Sequence, residues 1–395
     1  MSTEALVRPG PLVAPGPALS DEQRIRASRQ MLLPGLGDEG QRRLRAARVL
    51  VIGGGGLGSA SIPYLVGSGV GTIGIVDDDA VELSNLHRQI THTVADLGRA
   101  KTDSLADAAA RLDPDVLVRR HTVRLSAGNA LDVLRDYDLV IDGSDNFATR
   151  YLVNDAAQLR GIPLVWGAIL QHHGQVSVAW HAYGPGYRDL FPDPPTPGAV
   201  PSCSVGGVLP GLCGTIGSLL ATEALKIITG MGEPLIGRVL VYDALAARFS
   251  EVPYARDPEG EPATELVDFE VWCEPEAGAV PTIGADALAE RIRAGEPVSL
   301  LDVREAHEWA DLRIRGAAWS PLSALADSIV DAAAFVVAAP ARTTIVCAHG
   351  VRAVRAAEML IAAGAERVDV LAGGLTEFAA VANELVETTR AGELA

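Results

Sequence analysis

Short apolar runs recur along the first two thirds of the chain, each separated from the next by a stretch long enough for one helix. They lie at 48–53, 72–77, 116–121, 137–142, 162–168, 174–181 and 237–243. Strands alternating with helical patterns predict an α/β fold: a doubly wound, mostly parallel, Rossmann-like sheet. The runs 162–168 and 174–181 are joined by a turn too short for a crossover, which predicts an antiparallel pair at that edge. Ser20-Asp21-Glu22-Gln23 carries the spacing of a capping box and predicts a helix starting after Ser20. Six prolines fall from Gly184 through Pro201. Such a segment suits neither a helix interior nor a central strand, so an extended, mobile loop is expected there, ending at Cys203. The alternation fades after Tyr254 and restarts with the strands Ser299–Asp302, Thr344–Cys347 and Val368–Leu371. The expected organisation is a disordered tail at 1–19, an α/β domain at 20–254, a linker at 255–282, a smaller α/β domain at 283–388 and a tail at 389–395.

Composition narrows the functional classes. With 395 residues and 48% apolar content, the chain can build more than one packed core. A net charge of −17 argues against a non-specific nucleic-acid binder, which needs a basic face. No apolar stretch reads as long and uninterrupted enough to span a bilayer, and the N-terminus lacks the pattern of a signal peptide. The four cysteines include no Cys-x-x-Cys pair, so a soluble, cytoplasmic chain with reduced thiols is expected.

The run 48–52 leads into Gly53-x-Gly55-x-x-Gly58, with Gly56 inside the loop. In a strand–loop–helix context these glycines permit the tight turn, the approach of backbone N–H groups to phosphate and close helix–strand packing. Asp77 ends the next strand, where an acid can bind ribose hydroxyls. Ser84-Asn85-Leu86-His87-Arg88-Gln89 follows, and a plain dinucleotide site does not require it. Lys101 opens a further helix, and Asp145-Asn146 follows the strand 137–142 at the same sheet edge. Two cations, two acids and an amide suit ATP with Mg²⁺: Arg88 and Lys101 on phosphates, Asp77 on ribose, Asp145 near the metal.

In the second domain a strand delivers Cys347-Ala348-His349-Gly350-Val351-Arg352, and a helix begins at once. A sulfur in a loop that opens a helix meets backbone N–H donors and the positive end of the dipole, which stabilise an anionic thiolate or persulfide. Arg352 offers a charge-assisted contact.

The segments Arg29-Gln30, Val49–Gly58, Asp77–Gln89, Lys101, Asp145-Asn146, Pro201-Ser202-Cys203 and Glu223–Lys226 together resemble the ubiquitin-activating E1-like enzymes of the MoeB/ThiF type, over roughly residues 21–250. Leu301–Glu305, the Cys347 loop and Leu371–Gly374 resemble a rhodanese domain over about 283–385, and Cys-x4-Arg has the sulfurtransferase loop length. The pair of domains is similar to MoeZ-like fusions. This resemblance implies adenylation of the C-terminal Gly-Gly carboxylate of a ubiquitin-like sulfur-carrier protein, with ATP bound by Gly53, Gly55, Gly56, Gly58, Asp77, Ser84, Asn85, Arg88, Lys101, Asp145 and Asn146. It implies Mg²⁺ on Asp145, a homodimer in which Arg29 reaches the neighbouring ATP, and a Cys203 thiol that engages the activated carrier. It also implies that Cys347, loaded by an upstream persulfide donor and assisted by Arg352, passes sulfur to the adenylate and yields a thiocarboxylate. Many relatives hold zinc with two Cys-x-x-Cys pairs, which would fall here near Gly186–Asp189 and Asp257–Pro262. Neither stretch has a cysteine, so no zinc is expected and other contacts are expected to hold those segments together. Cys213 and Cys273 read as structural. Other readings stand beside this one: an adenylation-only enzyme, a carrier-binding adaptor with a non-catalytic rhodanese module, an activator of a small molecule or tRNA, and an NAD-dependent dehydrogenase, against which Arg88 and Lys101 speak.

Overall fold

The structure is a computed structural model that describes residues 9–194, 207–268, 280–325 and 328–388. The chain divides into two compact units, Met1–Cys273 and Glu274–Ala395.

In the first unit the seven expected strands and one more, Arg248–Pro253, form one sheet. Among the described residues it runs β1 (Arg48–Ile52), β2 (Thr72–Val76), β3 (Leu117–His121), β4 (Leu139–Asp142), β5 (Leu164–Leu170), β6 (His173–Ala179), β7 (Arg238–Asp243) and β8 (Arg248–Pro253). Their spatial order is β3-β2-β1-β4-β5-β6-β7-β8. The pairs from β3 to β5 are parallel, and β5–β6, β6–β7 and β7–β8 are antiparallel. One apolar core lies against the helices Gly37–Ala46, Gly56–Gly67 and Pro210–Thr229, the other against Phe147–Arg160. The strands β1 and β4 are buried on both faces, which is why they read as unbroken apolar runs. The order reverses between β1 and β4, and Ile52 lies beside Asp142 where both strands end. In doubly wound sheets ligands bind in the crevice beyond such a switch point. Ser20 caps the helix Asp21–Ala27 and forms the capping box with Gln23.

Three expectations need correction. Residues 9–19 are not a disordered tail. Leu12 and Val13 pack on the first core, Leu19 is buried, and the Leu12 and Gly16 N–H groups donate to Ile227 O and Arg42 O, each at 3.1 Å. A Pro-rich segment is read as disordered from composition, but here its few apolar residues find a core. Part of the expected linker also belongs to the first unit: Leu266 joins the second core, and Asp268 accepts from Ala127 N–H at 2.6 Å. Third, the helix Pro210–Thr229 is long and apolar enough to cross a membrane. It instead packs in the core with Leu212, Ile216, Leu220 and Ile227 buried, and it carries the Glu223–Lys226 ion pair. A helix buried on most sides needs the same composition as a spanning one.

The second unit holds a smaller parallel sheet, β9 (Thr282–Ile283), β10 (Ser299–Asp302), β12 (Ala318–Trp319), β13 (Thr343–Val346) and β14 (Val368–Leu371), in the order β12-β10-β13-β14-β9. A short antiparallel pair, β11 (Arg313–Ile314) with β15 (Val386–Glu387), lies beside it. Because β9 joins this sheet, ordered structure begins before the expected domain start.

Candidate active sites on the two units

The glycine loop lies where the switch point predicts. Gly53 has φ +86°, a region that favours glycine, and it sits against the Gly143 carbonyl beyond β4. A Cβ at Gly58 would collide with the Gly53 carbonyl oxygen, so only glycine lets the helix Gly56–Gly67 start this close to β1. Gly55 is that helix's N-cap. The Asp77 carboxylate closes the loop from the next strand by accepting from Gly54 N–H at 2.7 Å and Asp79 N–H at 2.8 Å. Burial pushes the Asp77 carboxyl above its ordinary range, opposed by the Lys101 charge and these two N–H groups.

Three cavities meet at Asp145. The first, of about 280 Å³, is bordered by Ile52, Val123, Leu125 and Leu152 with Asp77 and Asn146 on its polar side. The second, of about 320 Å³, is bordered by Gly53, Gly55, Gly56, Ser84, Asn85, Arg88, Gln89, Lys101 and Arg150 among others. The third, of about 330 Å³, is apolar and aromatic, with Phe147, Trp166, Ile169, Tyr187 and Phe191. Arg150 borders the second and the third, and Asp145 borders all three. Thus residues from positions 53 to 150 converge on one place.

Several of these side chains have protein partners. Lys101 is buried and pairs with Asp79 at 2.6 Å. Arg88 donates to Ser84 O at 3.1 Å. Asn85 borders the second cavity, but its amide oxygen caps its own turn by accepting from Glu82 N–H at 3.2 Å. Asn146 caps the helix Phe147–Arg160 by accepting from Thr149 N–H at 2.8 Å. Gln89 Oε1 is buried with no hydrogen-bond partner, which fits a polar ligand in the second cavity. The carboxylates of Asp77, Asp78 and Asp79 lie within 4.8 Å of one another at the rim. Arg29 is exposed and borders none of the three cavities. Cys203 and Cys273 lie outside the described residues. Cys213 is buried against the loop, and a Cβ at Gly56 would come within 2.7 Å of its sulfur.

Sequence reading passed over Arg150 and His92. Arg150 is 8% exposed and donates to Ser144 O at 2.8 Å. A cation in the first turn of a helix opposes the helix dipole, and that was the available signal. His92 is buried beneath the loop, with Nε2 3.3 Å from Gly54 O and Nδ1 2.8 Å from Ser104 Oγ. Facing a carbonyl, Nε2 carries the proton and Nδ1 accepts from the hydroxyl. Burial lowers the His92 pKa and favours this neutral form.

The segments where relatives place zinc ligands are tied by Asp189. Its carboxylate accepts from Gly186 N–H at 2.6 Å and Asp257 N–H at 2.8 Å, and Arg256 donates to Gly184 O at 2.6 Å.

On the second unit, β13 delivers Cys347 to the base of a six-residue loop. Cys347 is 1% exposed, and its sulfur accepts from Gly350 N–H at 3.1 Å. Gly350 has φ +96°. The loop is seated on the next β–α turn: Leu375 N–H donates to Cys347 O at 2.8 Å and Thr376 N–H to Ala348 O at 3.1 Å. A Cβ at Gly374 would lie 2.5 Å from Cys347 O. The Arg352 guanidinium does not hydrogen-bond the sulfur. It makes two 2.6 Å bonds to the Glu308 carboxylate.

Residues 27–263 match the ThiF family and residues 284–381 the rhodanese-like domain. The chain is 45% identical over 381 residues to the probable adenylyltransferase/sulfurtransferase MoeZ of Mycobacterium tuberculosis, covering 93% of this chain and 96% of that relative. It is 51% identical over 263 residues to the sulfur carrier protein adenylyltransferase of Thermus thermophilus, covering 64% of this chain and 97% of that one. Among solved structures, E. coli MccB with MccA-N7isoASN matches with a TM-score of 0.56 at 18% identity, over 62% of this chain and 75% of that chain. At that identity the likeness shows the fold.

Proposed function

The chain belongs to the ThiF family and carries a rhodanese-like domain, and on that premise we propose how its two sites divide one reaction. The chain is an adenylyltransferase and sulfurtransferase: it adenylates a sulfur carrier and then transfers sulfur through the rhodanese domain. The observation that carries the assignment of residues is the meeting of three cavities of different character at Asp145. The first cavity, where Ile52, Val123, Leu125 and Leu152 offer an apolar surface among polar groups, suits adenine, with Asp77 on ribose. The second cavity, with the loop N–H groups, Arg88, Lys101 and Arg150, suits phosphates. The third suits the extended C-terminal tail of a ubiquitin-like carrier ending in Gly-Gly.

A carboxylate oxygen of the terminal glycine attacks the α-phosphorus, the α–β bridging bond breaks, and pyrophosphate leaves. The exposed Asp145 carboxylate is the residue that would hold Mg²⁺ with ATP, where the ion would neutralise phosphate charge. Arg150 orients the incoming carboxylate. A persulfide on Cys347, loaded by an upstream donor, attacks the acyl carbon and expels AMP, giving an acyl disulfide. Attack by a second thiol, assigned to Cys203, releases the thiocarboxylate, and an external dithiol reductant returns the resulting disulfide to thiols. Arg29 serves the neighbouring ATP in a cytoplasmic homodimer.

The test is ATP–pyrophosphate exchange in the presence of a Gly-Gly-ended carrier. Exchange should require the carrier and should fall to background in Asp145→Asn. Exchange without carrier, or full exchange in Asp145→Asn, would overturn the assignment.

A further inference from the structure

Arg352 closes the Cys347 loop from the first turn of the helix Val351–Ala362, and the structure commits its charge elsewhere. Both of its terminal nitrogens are 2.6 Å from the two oxygens of Glu308, a fork-to-fork pair. Glu308 is itself held firmly. It is the third residue of the helix Ala306–Asp311, where its carboxylate also accepts from Glu305 N–H at 3.1 Å. Its carbonyl accepts from Arg304 at 3.1 Å, and Arg304 is anchored on the buried Asp302 by bonds of 2.6–3.0 Å. Burial alone would raise the Glu308 carboxyl, but the Arg352 hydrogen bonds and the Glu305 N–H hold it below its ordinary range, so it is ionised at neutral pH. A second carboxylate, Glu305, adds negative potential at Arg352. The sulfur, by contrast, is served by the loop backbone through Gly350 N–H. Backbone donors suffice for one anionic sulfur. A second anionic group on a donor would need a cation, and the Arg352 charge is already compensated.

We propose that Glu308 is a specificity-determining residue: by compensating Arg352 it turns dianionic small-molecule sulfur donors away from Cys347 and leaves the loop to donors of lower charge, such as a persulfide. The proposal rests on Cys347 as the sulfur-carrying thiol. In each loading reaction the Cys347 thiolate attacks the sulfane sulfur of the donor. The donor's S–S bond breaks, its electron pair leaves with sulfite, sulfinate or a thiolate, and Cys347 becomes a persulfide with no outside oxidant or reductant.

The experiment uses the full chain and two donors that differ by one charge, the dianion thiosulfate and the monoanion methanethiosulfonate, with cyanide as acceptor. Cys347→Ala should abolish turnover of both; if it does not, the thiol assignment fails and the Glu308 question is decided separately by the donor ratio. The ratio of kcat/KM for thiosulfate to that for methanethiosulfonate should rise about tenfold in Glu308→Gln, the scale of one partly screened charge contact. It should return toward the wild-type value in Glu308→Gln with Arg352→Gln. A merely structural role would lower both donors together and leave the ratio unmoved, and that result overturns the proposal. A measurement on the wild type needs no variant: its thiosulfate rate should change little with ionic strength, and a steep fall as salt rises, the mark of an uncompensated cation, would overturn it equally.

Discussion

The two sites share one architecture and use it in opposite ways. Each lies at the carboxyl end of a parallel strand, in a loop that opens a helix. At the glycine loop the ligand space is open, and the groups around it come from the ends of β1, β2 and β4, from three helices and from the turn around Asn85. At Cys347 six consecutive residues close around one buried sulfur, and the charged side chain of that loop is held by Glu308. A phosphate-bearing nucleotide is large and multiply charged, so charge has to be collected from across a sheet edge. A sulfur atom is small, and one backbone nest can hold it. The difference predicts how each site fails: the first through residues far apart in sequence, the second through local geometry.

That contrast can be broken in several ways, beginning with the largest effect. Gly58→Ala forces a Cβ into the Gly53 carbonyl; it should cost about 3 kcal/mol of stability by overpacking and remove ATP binding, read by thermal unfolding and nucleotide titration. A variant that binds ATP normally would show that the tight helix start is dispensable. Arg150→Ala should lower carrier-dependent exchange on the order of a hundredfold, since a preorganised charge contact is lost, with the KM for the carrier rising more than that for ATP. An effect confined to ATP would place Arg150 with the phosphates alone.

Asp189→Ala removes the acceptor shared by Gly186 and Asp257. The expected cost is about 1–3 kcal/mol, seen as weaker hydrogen-exchange protection in both segments. Protection lost in one segment only would deny the bridge. The smallest effect concerns pH. His92 is lowered by burial, so the unfolded chain binds the extra proton first as pH falls through about 6.5. Stability contributed by neutral His92 is therefore present above that value and declines below it, levelling off only under the folded pKa. The unfolding temperature of wild type should drop more between about pH 7.5 and about 5.5 than that of His92→Gln; equal drops would remove His92 from the account.

The same contrast decides what could be read from sequence. The glycine loop and the Cys347 loop are contiguous, so residue type and spacing carry their geometry. The antiparallel β5–β6 pairing was legible for the same reason, because a short turn leaves no other pairing, but β7 and β8 extend the sheet beyond it, so it is not the edge. Arg150, His92 and the apolar surface of the first cavity were not legible, because only the sheet order brings them to the loop. Residues 9–19 read as a tail because a Pro-rich composition hides three well-placed apolar side chains. The helix Pro210–Thr229 reads in sequence as too interrupted for a span, although length and hydropathy alone admit one. Its neighbours, not its composition, make it a core helix. The partners Asp79 for Lys101 and Glu308 for Arg352 are also contacts of topology, since each joins residues about a helix or more apart.

The central claim is that one site makes the acyl adenylate and a separate thiol supplies the sulfur. The most direct measurement follows pyrophosphate exchange and carrier mass in parallel for wild type and Cys347→Ala, with a sulfur donor present. The account predicts normal exchange in both, with the oxygen-to-sulfur mass shift of the carrier terminus seen in wild type and absent in Cys347→Ala. A carrier thiocarboxylate formed at the wild-type rate by Cys347→Ala would contradict it.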